Sequence, residues 1–138
     1  SDPSYMQWLM QAIANRDEKL FFIDSRTSAQ TVAASTAHTY HIPNLQRDVF
    51  LDDTAHDAAF VKQQVKRLVN IAKQKGYALA IGHPYKTTVE VLEQELAEAE
   101  LQGVQLVSVS ELITIAADQK QAKEFYSTWQ KKSVSLAY

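Results

Sequence analysis

Four short apolar runs, separated by helical patterns, constrain this fold more than any other feature of the sequence. The runs LFFI, VFL, YALAI and VQLV lie within residues 19–24, 48–53, 77–82 and 104–109. Their apolar residues are mostly continuous rather than alternating, which is typical of strands covered on both faces. Strands that alternate with helices indicate βαβ units, and the sequence therefore predicts parallel strands in an α/β fold.

Amphipathic helices are predicted before and between the runs. Apolar residues at spacings of three and four indicate helices over residues 3–17, 28–40, 57–75 and 88–102. Asp2 followed by Pro3 favours the start of the first helix, and Gly76 is a stop for the third. Thr87 and Glu90 have the spacing of a capping box for the fourth helix.

Length and composition indicate one soluble domain over residues 1–138, with 118–138 as a carboxyl-terminal tail in which a further helix is possible. The net charge of −2 argues against a nucleic-acid partner, because such proteins usually carry a basic patch. The absence of cysteine excludes disulfides, thiolate zinc sites and cysteine nucleophiles. No apolar stretch reaches the roughly 20 residues of a membrane span.

Polar side chains cluster at the ends of the runs, and the ends of parallel strands meet on one face of a sheet. The candidate site residues are Asp24, Ser25, Arg26, Arg47, Asp48, His83 and Tyr85. Two other acidic residues at these ends, Asp52 and Asp53, have a structural interpretation, since they precede a helix that they would cap. Arg47 and Asp48 are also consistent with a surface ion pair.

His83 is the leading catalytic candidate because it follows the run ALAI directly and should emerge at the end of a strand. Pro84 favours an extended conformation in the residue before it and stiffens this exit. Histidine changes charge near neutral pH, which suits proton transfer. The structural alternative is a histidine bonded to a loop carbonyl. We expect the imidazole to point into a groove shared with Asp24 and Arg47.

Four blocks, DSRT, RDVFLDD, IGHP and GVQLVSVSEL, occur in this order over residues 20–112. In order and spacing they resemble the divergent polysaccharide deacetylase family. The resemblance implies an incomplete or distorted (β/α) barrel related to metal-dependent esterases that remove acetyl groups from polysaccharides. It implies a catalytic role for His83, as general acid or oxyanion stabiliser, with Asp24 orienting it. The implied substrate-binding residues are Ser25, Arg26, Arg47, Asp48 and Tyr85.

The family's early paired aspartates and its Asn-His block have no counterpart here, so the resemblance is to the carboxyl-terminal part of the domain. The resemblance implies that the complete domain binds a divalent metal, with zinc as the first candidate. For this chain alone we predict no metal site. Four strands cannot close a barrel, which leaves an open sheet edge. We expect an N-terminal segment outside this sequence, or a second chain, to cover that edge.

The resemblance implies an acetylated polysaccharide as substrate, such as peptidoglycan or an exopolysaccharide, and a periplasmic or secreted location. One alternative is a non-catalytic carbohydrate-binding or cell-envelope barrel that has lost turnover, with Trp8, Tyr85 and Trp129 as candidate platforms. Another is an open flavodoxin-like sheet, which would place the first strand at the centre of the sheet.

Overall fold

The structure is a computed structural model that describes residues 2–16, 19–26, 31–52 and 57–134. In chain order the elements are α1 (Pro3–Ala14), β1 (Phe22–Asp24), α2 (Ala33–Thr39), β2 (Asn44–Gln46), β3 (Val49–Phe50), α3 (Ala58–Lys75), β4 (Ala80–Ile81), α4 (Lys86–Leu101) and α5 (Val109–Val134). The chain divides into two compact units, residues 1–106 and 107–138. The first unit contains α1 to α4 and all described strands, and the second contains α5.

The strands of the first unit run parallel, as the sequence predicts. β1 pairs with β2, and β3 pairs with β4. Because β2 and β3 are consecutive parts of the segment 44–50, this segment pairs with β1 through its first half and with β4 through its second half. The described strand order is therefore sequential, with β1 not at the centre, which disfavours the flavodoxin-like alternative. The chain is a mixed α/β protein with parallel strands and helices.

The fourth predicted strand is wrong, because residues 104–108 have no regular secondary structure. The chain instead turns out of α4 through Gly103, whose φ is 79°, and the Val104 N–H donates to the Ala99 carbonyl at 3.0 Å. Leu106, expected to be buried, is 70% exposed. An apolar run becomes a strand only where a neighbouring strand completes its hydrogen bonds, and no described strand pairs with this run.

The strand β2 was not predicted, because Leu45 is its one apolar residue and Pro43 precedes it. Tertiary contacts make it a strand. The Phe22 N–H donates to the Pro43 carbonyl and the Arg47 N–H to the Asp24 carbonyl, each at 2.9 Å, so that β1 is bonded along its length.

The helix boundaries follow the predicted capping chemistry at two of three points. The Asp2 side chain accepts the Ser4 N–H at 2.8 Å at the start of α1. Gly76 adopts the left-handed conformation at the end of α3, with φ of 92°. The capping box of Thr87 and Glu90 is wrong, because α4 begins at Lys86 and both residues lie inside it.

Two apolar clusters hold the strands against the helices. One contains Val49, Leu51, Val61 and Val65 and joins β3 to α3 and α4. The other contains Met10, Ala37 and Ile42 and joins α1 and α2 to the β1–β2 pair. Full burial of one such side chain contributes about 1.5–3 kcal/mol, so these clusters fix where the strands end. Among the described helices, none is both long and apolar enough to cross a membrane.

Candidate active site

A buried carboxylate meets an exposed imidazole where β3 and β4 end. Asp52 follows β3, His83 follows β4, and the Leu51 N–H continues the ladder by donating to the Ile81 carbonyl at 2.9 Å. Asp52 Oδ1 lies 3.0 Å from His83 Nδ1, and Asp52 Oδ2 accepts the His83 backbone N–H at 2.8 Å. The Asp52 side chain is 1% exposed and that of His83 is 52% exposed. The carboxylate therefore holds the ring from the inside and leaves much of it open to a ligand.

Thr88, in the first turn of α4, completes the surroundings of this carboxylate. Its buried hydroxyl donates to Asp52 Oδ2 at 2.8 Å. The amino-terminal end of a helix carries a partial positive charge, which favours an anion placed close to it. The start of α4 therefore supports an ionised Asp52.

The pKa of Asp52 reflects opposing effects. Burial raises the pKa, but the hydrogen bonds from the His83 N–H, the Thr88 hydroxyl and the His83 ring, together with the imidazole charge, outweigh burial and hold the pKa below its usual range. Asp52 is therefore ionised near neutral pH, and its buried negative charge is satisfied by protein donors.

The ionised carboxylate also determines where the imidazole carries its hydrogen. A carboxylate can only accept hydrogen bonds, so the Nδ1 atom of His83 must be the donor in this pair. The opposite ring nitrogen, Nε2, then has a free lone pair in the neutral ring and a hydrogen in the charged ring. In both forms Nε2 is the atom that can exchange a proton with a bound ligand.

Two aromatic side chains contact the His83 ring. The Phe50 ring lies edge-on to it, with centroids 5.6 Å apart and an interplanar angle of 86°. The Tyr85 ring lies 5.1 Å away at an interplanar angle of 31°, and Tyr85 is 40% exposed. These contacts and the Asp52 hydrogen bond limit rotation of the imidazole, and they leave an aromatic surface beside it.

Gly82 allows the end of β4 to lie this close to the end of β3. A Cβ atom at residue 82 would lie 3.1 Å from Leu51 Cβ and 3.3 Å from Asp52 Oδ2. Both separations are shorter than ordinary van der Waals contact, so a side chain here would push against the carboxylate that holds His83.

A second polar group lies at the end of β1. The buried Asp24 accepts the Arg26 N–H through Oδ1 at 2.9 Å and the Thr31 hydroxyl through Oδ2 at 3.1 Å. Arg26 is exposed and has a φ of 49°, a left-handed conformation that non-glycine residues seldom adopt. Asp24 therefore stabilises the turn after β1.

Arg47 connects this turn to β3. Its Nε donates to the Ser25 carbonyl, and its Nη2 donates to the Arg26 carbonyl at 2.9 Å. The guanidinium carbon lies 4.9 Å from the centroid of the Phe50 ring. Among the described residues, no carboxylate forms an ion pair with Arg26 or Arg47.

Asp48 follows Arg47 in the chain, but its side chain bonds to neither polar group. Its Oδ1 pairs with Lys75 Nζ at 2.9 Å, and its Oδ2 accepts the Leu79 N–H at 3.0 Å. Leu79 immediately precedes β4, so Asp48 lies at the opposite end of that strand from His83. The sequence is consistent with an ion pair between Asp48 and Arg47. In the structure Asp48 does form an ion pair, but its partner is Lys75.

The structure thus brings together two sets of predicted residues. His83 contacts Tyr85, whereas Asp24, Ser25, Arg26 and Arg47 form the group after β1. The carboxylate that orients His83 is Asp52 and not Asp24, which corrects that part of the sequence analysis. Asp24 is paired with Gln46 of β2. His83 contacts Asp52, which lies further along the chain, after β3. The two carboxylates are therefore at different heights along the sheet, because the paired strands are staggered.

Asp52 is the functional residue that sequence reasoning missed. It was interpreted as a helix cap, but α3 begins at Ala58 and its cap is Asp57, whose side chain accepts the Ala59 N–H at 2.9 Å. The available signal was its place directly after the apolar run VFL. Asp53 lies outside the described residues.

The described residues do not fit a metal ion. No three histidine or acidic side chains converge within residues 2–16, 19–26, 31–52 and 57–134. Both oxygens of Asp52 are engaged by protein groups, and Asp52 with His83 supplies only two potential ligands.

The model of the family described as divergent polysaccharide deacetylase matches residues 1–113, a range that contains both polar groups. The chain belongs to the divergent polysaccharide deacetylase family. An uncharacterised protein of Haemophilus influenzae is 38% identical over 112 residues, which are 81% of this chain and 39% of that protein. The uncharacterised protein YibQ of Escherichia coli is 38% identical over 89 residues, 64% of this chain and 27% of YibQ.

A solved structure supports the fold of this family member. The crystal structure of an uncharacterised protein from Agrobacterium tumefaciens C58 matches with a TM-score of 0.73 and 26% identity, covering 80% of this chain and 44% of that one. The chain spans 39% and 27% of the lengths of the two sequence relatives. Membership of the divergent polysaccharide deacetylase family is therefore established over most of the chain.

Proposed function

We propose that the protein is a carbohydrate esterase of the polysaccharide deacetylase type, which hydrolyses acetyl groups on a glycan, and that this chain forms one wall of its active site. The observation that carries the proposal is the buried Asp52 carboxylate, which orients an exposed His83 imidazole at the ends of two parallel strands. Membership of the family supports the class of reaction.

The chemistry assigned to this pair is general acid catalysis. Hydrolysis joins the oxygen of water to the acetyl carbon and breaks the bond from that carbon to the sugar nitrogen or oxygen. The leaving atom takes a proton from Nε2 of the charged imidazole, and the proton released by the attacking water restores that charge. Asp52 holds the ring in place for this transfer, because its Oδ1 lies 3.0 Å from Nδ1 and accepts the Nδ1 hydrogen.

Three of the remaining predicted residues, Ser25, Arg26 and Tyr85, would contact the glycan. Tyr85 offers a partly exposed aromatic ring next to His83, and Arg26 offers an exposed guanidinium at the end of β1. Ser25 is partly exposed in the same turn. In this proposal Asp24 acts through the turn that it stabilises, whereas Asp48 is occupied by Lys75 and Leu79.

The proposal includes a divalent metal, with zinc as the first candidate, in the complete protein only. The metal would polarise the acetyl carbonyl and activate water. Its ligands would lie outside the described residues, because those residues assemble no suitable group. The part of the protein that holds the metal, or a second chain, would also cover the open sheet edge and complete the barrel. Because the proposed substrate is an acetylated glycan of the cell envelope, we propose that the protein acts in the periplasm or outside the cell.

The test is acetate release from acetylated glycans, with peptidoglycan and an N-acetylated oligosaccharide as substrates and the intact protein as it is made in the cell. We expect acetate to appear together with free amine or hydroxyl groups on the sugar. A parallel experiment measures whether the protein binds the same glycans without hydrolysing them. Glycan binding with no acetate release would reject the esterase and favour the non-catalytic alternative.

A further inference from the structure

The Arg47 side chain contacts both the turn after β1 and an aromatic neighbour of His83. Two of its five N–H groups donate to the consecutive carbonyls of Ser25 and Arg26, and its guanidinium lies over the Phe50 ring, 4.9 Å from the centroid. Phe50 in turn lies edge-on to the His83 ring, with centroids 5.6 Å apart. A continuous series of contacts therefore runs from the turn to the imidazole.

The turn needs such support because Arg26 has a left-handed backbone, with φ of 49°. Non-glycine residues keep this conformation only where their surroundings enforce it. Here the Arg26 N–H is held by Asp24 Oδ1 at 2.9 Å, and the Arg26 carbonyl is held by Arg47 Nη2 at 2.9 Å. The peptide groups on both sides of this residue are thus fixed by separate side chains.

Phe50 is held in a similar way from two sides. The face of its ring attracts the guanidinium, because aromatic faces carry partial negative charge. Its ring is almost perpendicular to that of His83, at 86°, an arrangement in which the edge of one ring contacts the face of the other. Removal of the guanidinium would leave the Phe50 ring free to rotate against His83.

We propose that Arg47 is a positioning residue, which fixes the left-handed turn at Arg26 and the orientation of the Phe50 ring together, and through Phe50 the orientation of the His83 imidazole. The proposal deepens the proposed function and rests on it for its consequence in catalysis. The family resemblance implies that Arg47 binds substrate directly. The geometry assigns it instead to the alignment of two groups that would bind substrate.

The experiment compares Arg47→Met and Arg47→Lys in the full chain by nuclear magnetic resonance, which needs no turnover. Hydrogen exchange of the Arg26 amide reports the turn, and the proton chemical shifts of the His83 ring report the contact with Phe50. We expect Arg47→Met to accelerate Arg26 exchange about tenfold, since two hydrogen bonds are lost, and to shift the His83 ring signals.

The lysine variant separates the two effects. Lysine keeps a cation that can lie over Phe50, but its single ammonium group lacks the planar fork that reaches two consecutive carbonyls. We expect Arg47→Lys to accelerate Arg26 exchange and to leave the His83 ring signals close to those of the unchanged protein. If Arg47→Met fails to fold, Arg47→Lys decides, because unchanged Arg26 exchange in that variant overturns the proposal.

Two control variants are available. Arg67 is exposed on α3, and Arg67→Met should change neither signal. Arg26→Gly keeps the carbonyl that Arg47 binds and accepts a positive φ without strain, so the His83 ring signals should stay unchanged. Amides of Val61 and Val65 report whether the core is intact in every variant.

The proposal is overturned if Arg47→Met leaves both signals unchanged, or if it changes Arg26 exchange alone, because Arg47 would then support the turn without acting on His83. A failure to release acetate would remove the proposed function and would not affect either signal. The two failures are therefore distinguishable.

Discussion

In the proposed deacetylation, Asp52→Asn should lower kcat by about 10⁴-fold, the loss known when the carboxylate that orients a catalytic histidine becomes an amide. Asp52 Oδ2 accepts both the His83 N–H and the Thr88 hydroxyl, so the oxygen of the asparagine must take that position. The NH₂ group then faces Nδ1 and donates to it, which moves the hydrogen of the neutral imidazole to Nε2. Steady-state kinetics of acetate release measure the loss.

The control for this prediction is Asp57→Asn, because asparagine keeps the capping function of that exposed carboxylate at the start of α3. Its kcat should equal that of the unchanged protein. The variants His83→Ala and Asp52→Asn/His83→Ala should have similar kcat values, because Asp52 acts only through His83. A further large loss in the double variant would contradict the pairing.

The second large effect concerns stability. Asp52→Ala should lower the free energy of unfolding by about 2–6 kcal/mol, because two donors that bond to the buried carboxylate lose their acceptor at about 1–3 kcal/mol each. These donors are the His83 N–H and the Thr88 hydroxyl. Denaturant unfolding near neutral pH measures the change. A loss below 0.5 kcal/mol, roughly the effect of an ordinary surface substitution, would show that the carboxylate does not hold these donors.

The same contribution depends on pH in a defined direction. Hydrogen bonds and the nearby imidazole outweigh burial and keep the pKa of folded Asp52 below its usual range. The folded state therefore binds this proton less readily than the unfolded chain, and the stabilisation is complete above about pH 4 and decreases as the pH falls through the lowered pKa. The difference in unfolding free energy between the unchanged protein and Asp52→Asn should accordingly narrow below about pH 4.

The direction of the strands and the place of His83 could be predicted from the sequence, because both depend on local pattern. Continuous apolar runs between helices indicate parallel strands, and a histidine directly after such a run must emerge at the end of the strand. The long helix α3 was predicted almost to its limits, since its apolar stripe and the glycine after it are local signals.

The partner of His83 could not be predicted, because it depends on stagger between strands that are 31 residues apart in the chain. Carboxylates follow more than one of the apolar runs. The pattern within a run does not determine which of these carboxylates lies beside the imidazole in the folded sheet. The strand β2 could not be predicted for a related reason. Its sequence is mostly polar, and it is a strand because its backbone pairs with β1. Residues 104–108 show the opposite case, an apolar run without a described neighbour to pair with.

The central claim is that Asp52 holds the His83 ring with its hydrogen on Nδ1 and leaves Nε2 free for proton transfer. The direct measurement is the ¹⁵N spectrum of the His83 ring in the unchanged protein at a pH where the imidazole is neutral. The account predicts a protonated Nδ1 and an unprotonated Nε2, reversed in Asp52→Asn. A hydrogen on Nε2 in the unchanged protein, with Nδ1 unprotonated, would contradict it.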